Sequence, residues 1–144
     1  NFFLFHKGGN LGASLRLAKD IMVSGEKMPI ISYKKKFSDA LKIMNRKKLG
    51  IVVITKNRHI LGLITDGDLR RVFNDTSKER RLKKIIKNYP HVINESMPAS
   101  KALGFMSEKK ITSLLVVSDK EFKKKNKTLK GIIHIHSLLQ DGIK

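Results

Sequence analysis

The sequence predicts an α+β fold of two pseudo-symmetric βαββα units packed through their small sheets, and three observations carry that prediction. First, Phe37, Ala40, Leu41 and Met44 stand at i, i+3, i+4 and i+7, the apolar stripe of an amphipathic helix, and Ala99, Ala102, Leu103 and Met106 repeat it 62 residues on. Second, each stripe is followed by a short, wholly apolar run, Ile51–Ile54 and Leu114–Val117, of the length and branching of a buried strand. Third, 144 residues that are 40% hydrophobic suffice for one core shared by two small repeats and exclude a large two-domain enzyme.

The elements follow in order. Phe2–Gly12 reads as the last apolar strand or turn of a preceding unit plus a glycine-rich connector, and Asn1–Phe5 is too short, and lacks the basic leader, to be read as a secretory signal. Ala18–Met22 predicts a helix turn, Pro29-Ile30-Ile31 a short extended piece, and the Phe37–Met44 stripe a helix closed by Lys47-Lys48, cations suited to a helix C-terminus. The strand Ile51–Ile54 leads through a turn to a second strand opening on glycine, Gly62-Leu63-Ile64-Thr65, and a closing helix Asp68–Asn74. The second unit repeats the series as Leu82–Ile86, Pro90–Ile93, the Ala99–Met106 helix ending in Lys109-Lys110, Leu114–Val117, Gly131–His134 and a helix Ser137–Asp141. Between its two main strands the offset grows from 62 to 69, which places seven inserted residues in the polar stretch Glu121–Lys127, expected to be a surface loop. These boundaries divide the chain into 1–17, the tail of an upstream domain and linker; 18–76, the first repeat; and 77–144, the second.

The formal net charge of +19 points first to nucleic acid. The composition argues otherwise: 24 of the 31 cations are Lys and 7 are Arg, whereas base-edge and planar phosphate recognition favour the Arg fork. Aromatic residues are 6% with no Trp, so stacking platforms are scarce. Most of the charge is therefore expected on solvated faces and the inserted loop, with neither nucleic acid nor a membrane as partner. The absence of cysteine removes disulfides, thiol nucleophiles and cysteine-ligated zinc and fits a reducing, cytoplasmic setting. No nucleophile–base order, paired-carboxylate pattern or phosphate loop marks an independent enzyme.

Asp20-Ile21-Met22, Asp39-Ala40-Leu41 with Met44, and Gly62-Leu63-Ile64-Thr65-Asp66-Gly67-Asp68-Leu69 resemble the tandem CBS domain, or Bateman module, over roughly residues 18–143. The string Asp66-Gly67-Asp68-Leu69-Arg70-Arg71, with Ile111-Thr112-Ser113 and the lead-in His6–Gly12, further resembles the C-terminal part of bacterial D-arabinose 5-phosphate isomerases, which join a sugar isomerase (SIS) domain to a CBS pair. That resemblance implies a parent enzyme interconverting D-ribulose 5-phosphate and D-arabinose 5-phosphate, an aldose–ketose step towards Kdo and lipopolysaccharide. His6 falls at the family's catalytic histidine, although Lys7 stands where the family has proline. Residues 1–144, lacking the phosphosugar pocket, are expected to be inactive alone and to form its regulatory tail.

CBS pairs commonly bind nucleotides in clefts between repeats through a G-h-h-T/S-x-x-D pattern, which Gly62, Thr65 and Asp68 fit. Gly62 permits close backbone approach, Thr65 offers a hydroxyl, and Asp68 either caps its helix or accepts from ribose hydroxyls. Asp66 suits capping or ligand contact; Arg70 and Arg71 either meet a phosphate or form a solvated face or subunit contact. In the second repeat His134 stands for the Thr and Ser137 for the Asp, which removes the carboxylate of an adenosine-type site. His134 and His136 suit an anion better than a metal, since two histidines fall short of the three or four protein ligands zinc wants. Thr112 and Ser113 either add hydroxyls to the cleft or simply end the helix. No cofactor is required; AMP, ATP or CMP-Kdo is the expected regulatory ligand, with the SIS domain, a homodimer through the CBS pair and a tetrameric parent as expected partners. The alternative is an oligomerisation module that senses no ligand.

Overall fold

The computed structural model describes residues 15–72, 81–82 and 90–143. His6 and the glycine-rich lead-in, residues 83–86 of the second helix turn, and Asn74 lie outside them. The described elements are α1 (Ala18–Ile21), a 3-10 turn (Gly25–Lys27), β1 (Ile30–Ser32), α2 (Phe37–Lys47), β2 (Ile51–Lys56), β3 (His59–Thr65), α3 (Asp66–Val72), β4 (Val92–Asn94), α4 (Ala99–Lys109), β5 (Ser113–Val117), β6 (Gly131–His134) and α5 (Ile135–Gln140). The α+β prediction holds, with two three-stranded sheets ordered β1-β2-β3 and β4-β5-β6. In each sheet the middle strand runs parallel to the strand before the long helix and antiparallel to the strand after it.

The repeat read from the sequence is a repeat of the core. One cluster holds Ile31, Phe37, Ala40, Met44, Val52, Ile54, Ile64 and Leu69. The other holds Ile93, Ala99, Ala102, Met106, Leu114, Val116, Ile133 and Leu138, in the same order at offsets of 62 and then 69. Val52, Val53 and Ile54, and all of Leu114–Val117, have no exposed surface, so both middle strands are buried on both faces, which is why they read as unbroken apolar runs. Lys48 and Lys110, the second lysine of each terminal pair, take the left-handed conformation (φ 58° and 57°) and close the helices by donating N–H to Met44 O and Met106 O.

The chain falls into two compact units that do not follow the linear repeats throughout. One gathers residues 15–25, 91–125 and 130–143; the other residues 26–72, 81–82, 90 and 126–129. The leading turn of each repeat therefore packs with the other repeat's sheet. Ala18 lies in the second repeat's core, Ala18 N–H donates to Met97 O (2.8 Å), and Val23 pairs with Ile132 by N–H···O bonds of 2.8 and 2.9 Å. Leu82 correspondingly lies in the first repeat's core, and Leu82 N–H donates to Lys35 O (3.0 Å).

The closing helices start two residues earlier than the sequence predicted, at Asp66 and Ile135. The first hairpin closes tightly through Asn57 and Arg58, both at positive φ (52° and 68°). In the second repeat the corresponding link is the insertion. Asp119 at its start accepts from Asn94 Nδ2 (2.9 Å), Ser96 N–H and Ser96 Oγ, while Asp119 N–H donates to Glu95 Oε2 (3.1 Å). Lys130 at its end donates to Glu95 Oε1 (2.6 Å). The Ser96 and Asn94 donors hold the Asp119 carboxyl, and Lys130 that of Glu95, below the ordinary range. Within the first repeat's unit, Ile60 N–H donates to Lys127 O (2.8 Å), so part of the expected surface loop pairs with a sheet edge.

Met22 crosses directly over Gly131. A Cβ built there would sit 2.6 Å from Met22 Cγ and 2.9 Å from its Cβ, whereas one at Gly104, inside α4, meets nothing within 4 Å. Gly131→Ala is expected to cost roughly 1–3 kcal/mol of unfolding free energy, as overpacking does. Gly104→Ala is expected to gain about 0.4–1 kcal/mol by restricting the unfolded chain. Urea denaturation of the two variants checks both signs.

Candidate functional site

The last residue of β3 is also the cap of α3. Asp66 N–H donates to Gly50 O (2.9 Å), which turns the chain sharply from strand into helix beside the start of β2. Thr65 Oγ1 then accepts from Asp68 N–H (3.1 Å), and Asp68 Oδ2 accepts from Thr65 N–H (2.9 Å). These reciprocal bonds form a capping box, with Thr65 as the cap and Asp68 at the third helical position. Asp68 Oδ1 takes a further bond from Arg71 Nη2, and Asp66 pairs with Arg70 at 2.8 Å. Burial pushes the Asp68 carboxyl up, but the two bonds from Thr65 and then Arg71 outweigh it and hold the group below its ordinary range. Gly62 lies buried three residues upstream, opposite Ile54. The structure thus brings Thr65, Asp66, Asp68, Arg70 and Arg71 to one corner, already bonded in two sets, Thr65–Asp68–Arg71 and Asp66–Arg70.

The second repeat has the same backbone and different chemistry. Ile135 N–H donates to Thr112 O (2.9 Å), as Asp66 does to Gly50, and Ser113 stands opposite His134 as Ile51 stands opposite Thr65. His134 is the cap: its Nδ1 accepts from His136 N–H (3.1 Å), and the two imidazoles stack at 4.9 Å. Burial and, secondarily, His136 push the His134 imidazole below its ordinary value. Thr112 is exposed, and Ser113 Oγ is buried without a hydrogen-bond partner. Thr112, Ser113, His134 and His136 therefore meet at one corner, without a carboxylate at Ser137. Among the described residues no group of three His, Asp or Glu side chains gathers as a metal site.

Sequence reasoning missed that the family-like aspartates share one local role. Asp20 accepts from Leu17 N–H (2.9 Å) and Asp39 from Lys36 N–H (3.1 Å), as Asp68 does from Thr65. The signal was present: each Asp lies three residues after the end of an extended segment.

The CBS domain model matches residues 18–75 and 82–142. The chain belongs to the CBS domain family. It is 37% identical over 99% of its length to arabinose 5-phosphate isomerase KdsD of Escherichia coli (strain K12), and 38% identical over 99% to an uncharacterized protein of Rickettsia prowazekii (strain Madrid E). It spans 43% of the length of each of these relatives. Among solved structures it resembles the CBS domain of a bacterial CNNM/CorC family Mg2+ transporter in complex with ATP (TM-score 0.74, 19% identity, 93% of each chain). It also resembles the CBS domain pair of protein MJ0100 in complex with 5-methylthioadenosine and S-adenosyl-L-methionine (TM-score 0.71, 20% identity, 88% of this chain and 94% of that one). At these identities the likeness shows the CBS-pair fold. No described helix is long and apolar enough to cross a membrane.

Thr65→Ala and Asp68→Ala are each expected to cost about 0.5–2 kcal/mol of stability, and the double variant less than the sum, because both bonds belong to one box. Asp68 binds a proton less readily folded than unfolded, so its contribution is present above about pH 3.8 and is lost as pH falls through the lower folded-state value. Chemical denaturation of the variants, and of the wild type between about pH 5 and pH 3, measures both effects.

Proposed function

We propose that the chain is the regulatory CBS pair of a D-arabinose 5-phosphate isomerase of the cytoplasm, taking a nucleotide or nucleotide-sugar at the strand-to-helix corners. The observation that carries this reading is the 37% identity to KdsD across 99% of the chain. The chain covers 43% of that relative, so the interconversion of ribulose and arabinose 5-phosphates belongs to the rest of such a protein, in a sugar isomerase (SIS) domain to which His6 would contribute. The ligand is AMP, ATP or, as an end product of Kdo and lipopolysaccharide synthesis, CMP-Kdo. No further cofactor is required. Arg70 and Arg71, exposed beside Thr65 and Asp68 and paired there with Asp66 and Asp68, supply guanidinium donors for a phosphorylated small molecule, and the imidazoles beside Thr112 and Ser113 add hydrogen-bonding groups. Regulation then requires the ligand to favour one arrangement of the module over another, since equal affinity for both shifts nothing.

A second reading has its own support. The β3–α3 corner satisfies its polar groups internally, and Leu139 on α5 is 55% exposed. Both suit a module that assembles a homodimer, and a tetrameric parent, without sensing a ligand.

Calorimetry with AMP, ATP, CMP and a CMP-linked sugar acid separates the two. Binding of at least one, weakened in Asp68→Ala, is expected. Silence for all four favours assembly. Unchanged affinity in Asp68→Ala, and in Asp68→Asn, which keeps an acceptor for Thr65 N–H, removes Asp68 from the site.

A further inference from the structure

A histidine that caps a helix by accepting a hydrogen bond can do so only while neutral. His134 Nδ1 accepts from His136 N–H, so the ring is the tautomer with its proton on Nε2. A second proton would go on Nδ1, making it a donor aimed at a donor. The new charge would also lie against the stacked imidazole of His136. One further feature distinguishes this corner from its counterpart: Ser113 Oγ, on the rung directly opposite His134, is buried and accepts from nothing. In the first repeat the same rung carries Ile51, and the cap is Thr65, which does not titrate.

We propose that the β6–α5 corner is a pH-sensitive catch: neutral His134 holds the start of α5, and protonated His134 releases it and turns its Nδ1–H to Ser113 Oγ. The groups facing His134 allow this. From α5 the facing titratable group is His136, and from β5 the facing residue is uncharged Ser113. Among the described residues the ionisable groups of the neighbouring helices are Lys19 and Asp20 on α1 and Lys101, Glu108 and Lys109 on α4, and no carboxylate among them hydrogen-bonds to the imidazole. Burial, with His136 second, keeps the imidazole below its ordinary value of 6.5. The stability it contributes is therefore complete above about pH 6.5 and lost as pH falls through the lower folded-state value.

The release has a route outward. α5 brings Leu138 into the core, Ile143 N–H bonds back to Leu138 O (3.1 Å), and Asp141 pairs with Arg16 at 3.5 Å. Loosening α5 therefore frees residues 135–143 and weakens the hold on residues 15–23, the segment leading upstream.

The test needs no ligand, so it fails or succeeds independently of the nucleotide reading. Hydrogen exchange is measured at about pH 7.5 and about pH 5, corrected for intrinsic rates. Protection of residues 135–143 is expected to fall by about fivefold to tenfold on acidification, the size of a lost cap, while β2 and β3 stay unchanged. His134→Thr, which supplies a hydroxyl cap, is expected to abolish the change, and His136→Gln, which keeps the backbone N–H, to retain it. A pH response that survives His134→Thr, or vanishes in His136→Gln, overturns the proposal. Should His134→Thr fold poorly, nitrogen NMR of the wild-type His134 imidazole decides: a proton on Nε2 alone at pH 7.5 is expected, and a proton on Nδ1 overturns it.

Discussion

Both units hang on a middle strand buried on its two faces. With Val52–Ile54 and Leu114–Val117 sealed from water, each strand must have a partner along both edges, because unpaired backbone groups there would cost more than the apolar burial returns. The parallel partner, β1 or β4, has to be reached by a crossover, and that crossover is the amphipathic helix α2 or α4, whose stripe supplies the core facing the sheet. The antiparallel partner, β3 or β6, ends beside the start of the middle strand, at Ile51–Thr65 and Ser113–His134. The chain must then turn at once into a helix whose first N–H groups need acceptors. The corner chemistry thus follows from the sheet: Gly50 O and Thr112 O take one donor, and the Thr65 and His134 side chains take another.

The sheet and helix framework was readable because it is periodic and local. A stripe at i, i+3, i+4, i+7 and an unbroken apolar strand leave few alternatives, and their recurrence at a fixed offset reveals the repeat without any knowledge of contacts. The exchange of leading turns was not readable. Ala18 and Leu82 lead their own repeats along the chain, yet each fills the other repeat's core, and nothing in linear order tells one short apolar turn from another. The anchoring of the insertion by Asn94, Glu95, Ser96, Asp119 and Lys130 was hidden for the same reason, since its partners lie more than twenty residues apart.

The corner residues occupy an intermediate position. Thr65 and Asp68 were recognisable as a pair, with a capping role and a ligand role both open, and the structure shows the capping bonds in place. His134 looked like the loss of a threonine. Its neutral imidazole instead accepts a helix N–H much as a hydroxyl would, and Thr-to-His at a cap is a substitution that motif matching scores as a mismatch. The charge of +19 likewise changes meaning: the Lys excess reads as a solvated surface, whereas Arg70 and Arg71 are tied to carboxylates of their own helix turn.

The central claim is that such a chain reads a small phosphorylated ligand at these two corners. Titration of the isotope-labelled protein with ATP, followed by amide chemical shifts, tests it most directly. The account predicts shifts concentrated at residues 62–71 and at 112–113 with 134–136. No shifts, or shifts confined to the lysine-rich stretch 120–130, would contradict it.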